Sequence, residues 1–204
     1  MIKSTAQDTR RRIAEAALEA LRTEGFAGAT SRVIARIGGF NQALIFYHYG
    51  SLEGALLAAL DLTSEQRLAR YREALETATT LEELAQVARR IYREDSKSGH
   101  VAVISQLVAA SLARPELAKG MLERVDPWVE FCDVAIRKAV AGTPLENALP
   151  IPELAYGLVS YYLGANLLTH LGGAERTEAL FKRVEKLAPL LRPEGAKAGS
   201  AKSG

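Results

Sequence analysis

The sequence predicts an all-α protein of nine helices, three short and compact at the amino end and six longer ones behind them. Alanine and leucine number 34 and 28 of the 204 residues, while β-branched and aromatic residues are sparse, so helix formers dominate and a β-rich fold is excluded. Apolar residues recur at three- and four-residue intervals, with no sustained alternation of apolar and polar positions. Glycines, prolines and Ser, Thr or Asn caps punctuate the chain at helix-length intervals.

The elements follow in order. Ile13, Ala17 and Leu21 share one face of a first helix that stops before Gly25, and Phe26 folds back on it. Thr30 caps a second, short helix carrying Val33, Ile34 and Ile37, which Gly38 and Gly39 break. Asn41 caps a third from Gln42 to Tyr49. Gly50 and Ser51 separate it from a fourth, Leu52 to Leu75. Thr80 with Glu83 reads as a capping box for a fifth helix ending near Lys97 and Gly99. A sixth spans His100 to Ala113, and Pro115 opens a seventh that Gly142 and Pro144 close near Val140. Pro150 and Pro152 precede the eighth, ended by Gly172 and Gly173. The ninth runs from Glu175 to Ala188, where Pro189 stops it. Residues 193–204 are small or charged and read as a disordered tail.

The formal net charge of +2 conceals an asymmetry, because residues 1–50 carry a net +3 and the remainder a net −1. The lone Cys132 excludes an intramolecular disulfide and a thiolate cluster, fits a reducing compartment, and falls on the apolar stripe Val125, Val129, Cys132, Ile136. Glu15 and Glu19 interrupt the amino-terminal apolar stretch, which argues against a signal peptide. Leu154 to Leu171 is interrupted by Ser160, Asn166, Thr169 and His170, so no membrane helix is expected and a cytoplasmic location is.

Ala35, Gly39 and Ile45 stand four and six residues apart across the two short helices. In a helix-turn-helix, a small residue lets the helices approach, a glycine supplies the positive φ of the turn, and an apolar residue plugs the angle between them. An ordinary helical hairpin with a glycine turn has the same spacing, so the third helix must decide. There Ile45 and Tyr49 point inward, with Phe46 also read as core, while Gln42, Ala43, Tyr47 and His48 project outward. Amides and aromatics in place of the Lys and Glu of a solvated helix suit base edges and phosphates.

The stretch TSRVIARIGGFNQALIFYHYGSLEGALLAAL resembles the amino-terminal region of the TetR (tetracycline repressor) family of transcriptional regulators. The resemblance covers residues 8–60 and rests on the Ile34-Ala35 pair, the glycine turn, the run Phe46-Tyr47-His48-Tyr49 and the helix starting at Ser51. It implies a TetR-like fold: a helix-turn-helix DNA-binding domain over residues 1–52, then a helical effector-binding and dimerisation domain over 53–192. It further implies DNA contacts from Ser31 and Arg32 on the second helix, and from Asn41, Gln42, Ala43, Leu44, Tyr47 and His48 at and within the third. Leu44 stands where the family commonly has threonine and offers an apolar face for a thymine methyl in place of the hydroxyl, and Leu52 stands where it has a phosphate-binding lysine, whose part the backbone N–H groups of that helix start could take. Arg10, Arg11 and Arg12 read either as a basic arm on phosphate or as a solvated helix start.

The eighth helix is apolar on most sides, and Gly157, Ser160 and Gly164 form a small-residue strip on it. With Leu180, Val184 and Leu187 of the ninth helix it reads as a homodimer interface, the alternative being the centre of a larger monomeric bundle. Ile104, Leu107, Trp128, Phe131, Tyr161 and Tyr162 are candidate ligand-lining residues or ordinary core. The expected partners are double-stranded DNA with a palindromic operator, a small, largely apolar effector, and a second copy of the chain. No cofactor, metal or catalytic group is expected, since zinc-binding, phosphate-loop and nucleophile-elbow motifs are missing. An effector-independent architectural DNA-binding protein and an all-helical enzyme are the alternatives.

Overall fold

The computed structural model describes residues 5–78, 80–143 and 145–187. Those residues are helical with no strand, as the composition requires. The helices are α1 Ala6–Thr23, α2 Gly25–Gly28, α3 Ser31–Gly38, α4 Ala43–Tyr49, α5 Leu52–Thr77, α6 Leu81–Ser98, α7 His100–Ser111, α8 Pro115–Glu123, α9 Asp126–Val140, α10 Ile151–Leu168 and α11 Ala174–Leu187. The expected tail, Pro144 and Pro189 lie outside the described residues.

Two differences from the sequence expectation have local causes. Phe26 belongs to α2, a single turn opened by Gly25 at φ +70°. The expected seventh helix is two: it breaks between Glu123 and Asp126, and Pro127 lies in the first turn of α9. Proline there loses no intrahelical bond, whereas in the middle of one continuous helix it would remove a bond and clash with the preceding turn. Caps elsewhere are as read: Thr80 N–H donates to Glu83 Oε2 at 3.0 Å and Glu83 N–H to Thr80 Oγ1 at 3.2 Å.

Compactness divides the described residues otherwise than at residue 52. One unit comprises those up to Arg70 with Asp95–Asp126, the other Tyr71–Glu94 with those from Pro127 onward. In the first unit Ile13, Ala17 and Leu21 of α1, Ile34 of α3, Ile45 of α4, Leu56 and Leu60 of α5, Val103 and Leu107 of α7 and Leu117 of α8 form one core. Phe26 N–H donates to Gln106 Oε1 at 2.7 Å, and the Arg114 guanidinium lies 4.6 Å from the Phe26 ring centroid. α8 lies close on α5, since a Cβ at Gly120 would come within 2.3 Å of Leu57 Cδ1. Arg124 fixes that approach with a fork onto Asp61, at 2.7 and 2.6 Å. A polar cluster is buried beneath: Arg67 pairs with Asp95, and Thr63 Oγ1 lies 3.1 Å from His100 Nδ1.

In the second unit Arg89 of α6 binds Glu178 and Glu185 of α11, and Arg93 also reaches Glu178. Lys138 of α9 donates to the carbonyls of Leu75 and Glu76 at 2.7 and 2.8 Å, capping α5. Between α10 and α11 the chain kinks within Thr169–Gly173, where Gly172 adopts the non-helical φ of +94°. The Thr169 hydroxyl there lies 2.6 Å from Tyr92 Oη. No single helix among the described residues is long and apolar enough to cross a membrane.

Candidate nucleic-acid interface

α3 and α4 are joined by a turn that the residue types dictate. Gly39 adopts φ +63°, ψ +44°, the left-handed conformation that costs other residues free energy. Its N–H donates to Arg36 O at 3.3 Å, and Phe40 N–H donates to Ala35 O at 3.1 Å, which together form a Schellman motif. Phe40 then packs back on the core, and a Cβ at Gly38 would lie 2.1 Å from its ring. Asn41 Oδ1 accepts the Ala43 N–H at 2.9 Å and so starts α4. Ala35 and Ile45 are buried on either side of the turn, as the four-and-six spacing requires.

On this frame Arg32, Asn41, Gln42, Ala43 and Tyr47 are exposed, and Ser31 and His48 are half-buried. Tyr47 is 82% exposed and meets the His48 ring edge-on at 4.9 Å. With Asn41 Oδ1 engaged, its exposed NH2 is the group left to donate outward. Leu44, matched to a groove-facing position, is instead half-buried against the core. Phe46, read as core, is instead 49% exposed, in the last turn of the seven-residue α4. At the start of α5, Ser51 Oγ accepts the Gly54 N–H at 2.9 Å, and a Cβ at Gly54 would strike Tyr49 O at 2.5 Å.

Sequence reasoning weighed Arg10 and Arg12 only as phosphate arm or solvated surface. Arg12 donates to Gly38 O at 2.8 Å and Gly39 O at 2.7 Å. Arg10 donates to His48 O and lies over the Tyr49 ring, 4.5 Å from its centroid. Tyr49 Oη returns a hydrogen bond to Arg10 O at 2.8 Å, and burial pushes its phenol pKa up against the pull of the Arg10 charge. The one sequence signal was the placement of these arginines on the same helix as the buried Ile13 stripe. Arg11 pairs with Glu15 on the surface.

No protein-family model matches the sequence. The chain is 25% identical over 138 residues to the HTH-type transcriptional regulator UidR of Escherichia coli strain K12, covering 68% of this chain and 69% of that protein. It is 32% identical over 133 residues to the HTH-type transcriptional regulatory protein RaaS of Mycobacterium tuberculosis, covering 65% and 58%. Among solved structures, a putative TetR-family regulator from Rhodococcus sp. superposes with a TM-score of 0.73 at 17% identity, over 89% of this chain and 98% of that one. The chain has the all-helical fold of a TetR-family regulator. Two further structures share the fold. FadR from Bacillus subtilis, in complex with stearoyl-CoA, has a TM-score of 0.67 at 17% identity, over 87% and 96% of the two chains. The multidrug binding protein EbrR, complexed with malachite green, has a TM-score of 0.60 at 24% identity, over 90% and 98%. The proteins named here are regulators or binding proteins.

The remaining expected site residues of this TetR-like chain divide between its units. Leu107 is wholly buried in the core of the first, and Ile104 packs against that core. In the second unit the Trp128 ring lies 6.2 Å from Tyr71 and 6.3 Å from Phe131, Tyr162 is half-buried and Tyr161 is exposed. A groove of about 370 Å³ lies between α5 and α6, bounded by Ala74, Thr77, Ala78, Glu83, Gln86, Val87 and Arg90, and none of the six expected ligand residues lines it. Gly157, Ser160 and Gly164 are exposed on α10, a Cβ at either glycine would meet nothing within 4 Å, and Leu180, Val184 and Leu187 are exposed on α11. Cys132 is half-buried, and burial pushes its thiol up to about 11.

Proposed function

We propose that the chain is a homodimeric repressor which binds a palindromic operator and is released by a small, largely apolar ligand. The recognition surface is α4 with the start of α3: Arg32 and Gln42 on base edges, Ser31, Tyr47 and His48 on phosphate and base, and Asn41 and Ala43 at the groove-facing start of the helix, with Leu44 packed inward behind them. The observation that carries this reading is the exposure of amides and aromatics on a short helix whose Ile45 is wholly buried. Such side chains, held on a rigid frame, match a major groove better than they match water.

The second copy is placed on α10 and α11. Leu154, Leu158, Leu167, Leu180, Val184 and Leu187 are each more than 40% exposed in the single chain. Beside them the open strip of Gly157, Ser160 and Gly164 admits a close helix. An apolar face of this extent is covered in a stable soluble protein, and a two-fold contact is the commonest cover.

The ligand is assigned to the second unit, around Trp128, Phe131, Tyr161 and Tyr162, where apolar ring surface is concentrated. The ligands of FadR and EbrR support an apolar effector. One observation favours the effector-independent alternative: Trp128 packs on Tyr71 and Phe131, and the groove beside α5 and α6 does not touch them.

The test is selection of genomic fragments by the full-length protein, followed by titration of the enriched duplex. A palindrome whose half-sites lie about 34 to 36 Å apart is expected. A screen of hydrophobic metabolites should then find a compound that changes Trp128 fluorescence and weakens the duplex, with operator DNA weakening the compound by the same factor. If no compound does so, the architectural alternative takes its place.

A further inference from the structure

Arg10 and Arg12 are two residues apart on α1, about 200° around its axis, so their side chains leave on opposite flanks. Each reaches the carboxy-terminal end of a different helix of the helix-turn-helix. Arg12 holds the Gly38 and Gly39 carbonyls at the end of α3, at 2.8 and 2.7 Å, and lies 5.8 Å from the Phe40 ring centroid. Arg10 holds the His48 carbonyl in the last turn of α4 and covers the Tyr49 ring, while Tyr49 Oη bonds back to the α1 backbone. These carbonyls have no intrahelical donor and form the negative end of the helix dipole, so a guanidinium is the matching group. Two arginines on one helix thereby pin both ends of the reading unit, beside the adjoining residues Tyr47 and His48.

We infer that Arg10 and Arg12 are positioning residues for sequence reading: they fix α3 and α4 against α1, and their N–H groups are turned to the protein's own carbonyls instead of to phosphate. The inference rests on the DNA-binding reading above. A guanidinium presents a planar fork, whereas an ammonium is a point charge without the ring stacking. Lysine therefore keeps the charge that a phosphate would need and loses the geometry that the carbonyls need.

The experiment uses full-length protein with two duplexes, the operator enriched by the wild type and a random sequence of equal length. Arg12→Lys and Arg10→Lys should each lose about tenfold on the operator, the size of one charge-assisted hydrogen bond. They should keep wild-type affinity for the random duplex and the wild-type slope of affinity against salt. Arg12→Ala and Arg10→Ala should lose at least as much on the operator, again with the random-duplex slope unchanged. Wild-type operator affinity in the lysine variants overturns the inference. So does an alanine variant that weakens both duplexes equally and lowers the salt slope by about one, the signature of a lost phosphate contact. Should the alanine variants fail to fold, the lysine pair, with helicity checked by circular dichroism, decides alone. A wild type that enriches no duplex defeats the DNA-binding reading and this inference together. A wild type that enriches one, with variants that keep its preference, defeats only the inference.

Discussion

A Cβ added at Gly38 would come 2.1 Å from the nearest Phe40 ring carbon, so the ring must shift for the change to be accepted. Gly38→Ala is therefore expected to destabilise the protein by about 1 to 3 kcal/mol, the usual size of overpacking, read as a shift in the urea midpoint. On the outer face the roles separate by chemistry. Arg32→Ala should cost about 1 to 3 kcal/mol at one operator position and relax specificity there, while Tyr47→Ala should weaken operator and random duplex alike. Equal losses for Arg32→Ala on both duplexes would assign it to phosphate. His100, beside Thr63 of α5, is buried, and burial first, then Arg67 and Arg22, lowers its pKa from 6.5 to about 3. The unfolded chain thus binds that proton more readily. Stability is fully present above about pH 6.5 and falls on acidification toward pH 3, by at most about 1.4 kcal/mol per unit from this group. His100→Gln should flatten the urea midpoint between pH 7 and 5, and a curve identical to the wild type's would place the acid sensitivity elsewhere. The glycine turn and Ile45 were legible because backbone conformation and packing restrict residue type there. The carbonyl contacts of Arg10 and Arg12 were not, because an arginine near a helix start looks the same whether it faces solvent, phosphate or its own chain.

Helix boundaries followed from caps where the cap was a side chain with a local partner, as at Thr30 and Thr80, whereas the Thr5–Asp8 capping box that opens α1 was not read. The break before Pro127 escaped because the stripe Val125, Val129, Cys132, Ile136 continues across it at helical spacing. Periodicity reports which face is apolar, and a proline two residues into a new helix leaves that pattern intact. The Arg67–Asp95 pair between α5 and α6 was equally invisible, since 28 residues separate the partners. Both side chains are almost wholly buried. Asp95→Asn should cost about 3 to 5 kcal/mol, because it removes the negative charge that offsets a desolvated guanidinium. A loss within the range of surface pairs, below about 1 kcal/mol, would mean that water reaches the site.

At the scale of the molecule, the dimer proposal rests on an excess of apolar surface on α10 and α11, exposed in the single chain. Gly164→Arg should add a charged side chain where the second copy is placed and convert dimer to monomer in sedimentation equilibrium. A wild type that sediments as a monomer at micromolar concentration removes the dimer proposal. The division of the chain was the least legible property. A cut at residue 52 follows from motif boundaries, but α7 and α8 supply Val103, Leu107 and Leu117 to the core that holds Ile45 of α4, and nothing local marks those residues as belonging there. That discontinuity also governs the order of synthesis. Leu117 emerges 57 residues after Leu60, so the ribosome completes the reading unit's apolar surface but not its covering for roughly 3 to 11 seconds at about 5 to 20 residues per second. During that interval Ile13, Ile34 and Ile45 lack part of the packing that the finished chain provides. A nascent chain arrested near residue 60 should accordingly be protease-sensitive and bound by chaperones, and one arrested after α8 has left the exit tunnel should resist cleavage within α1 to α4.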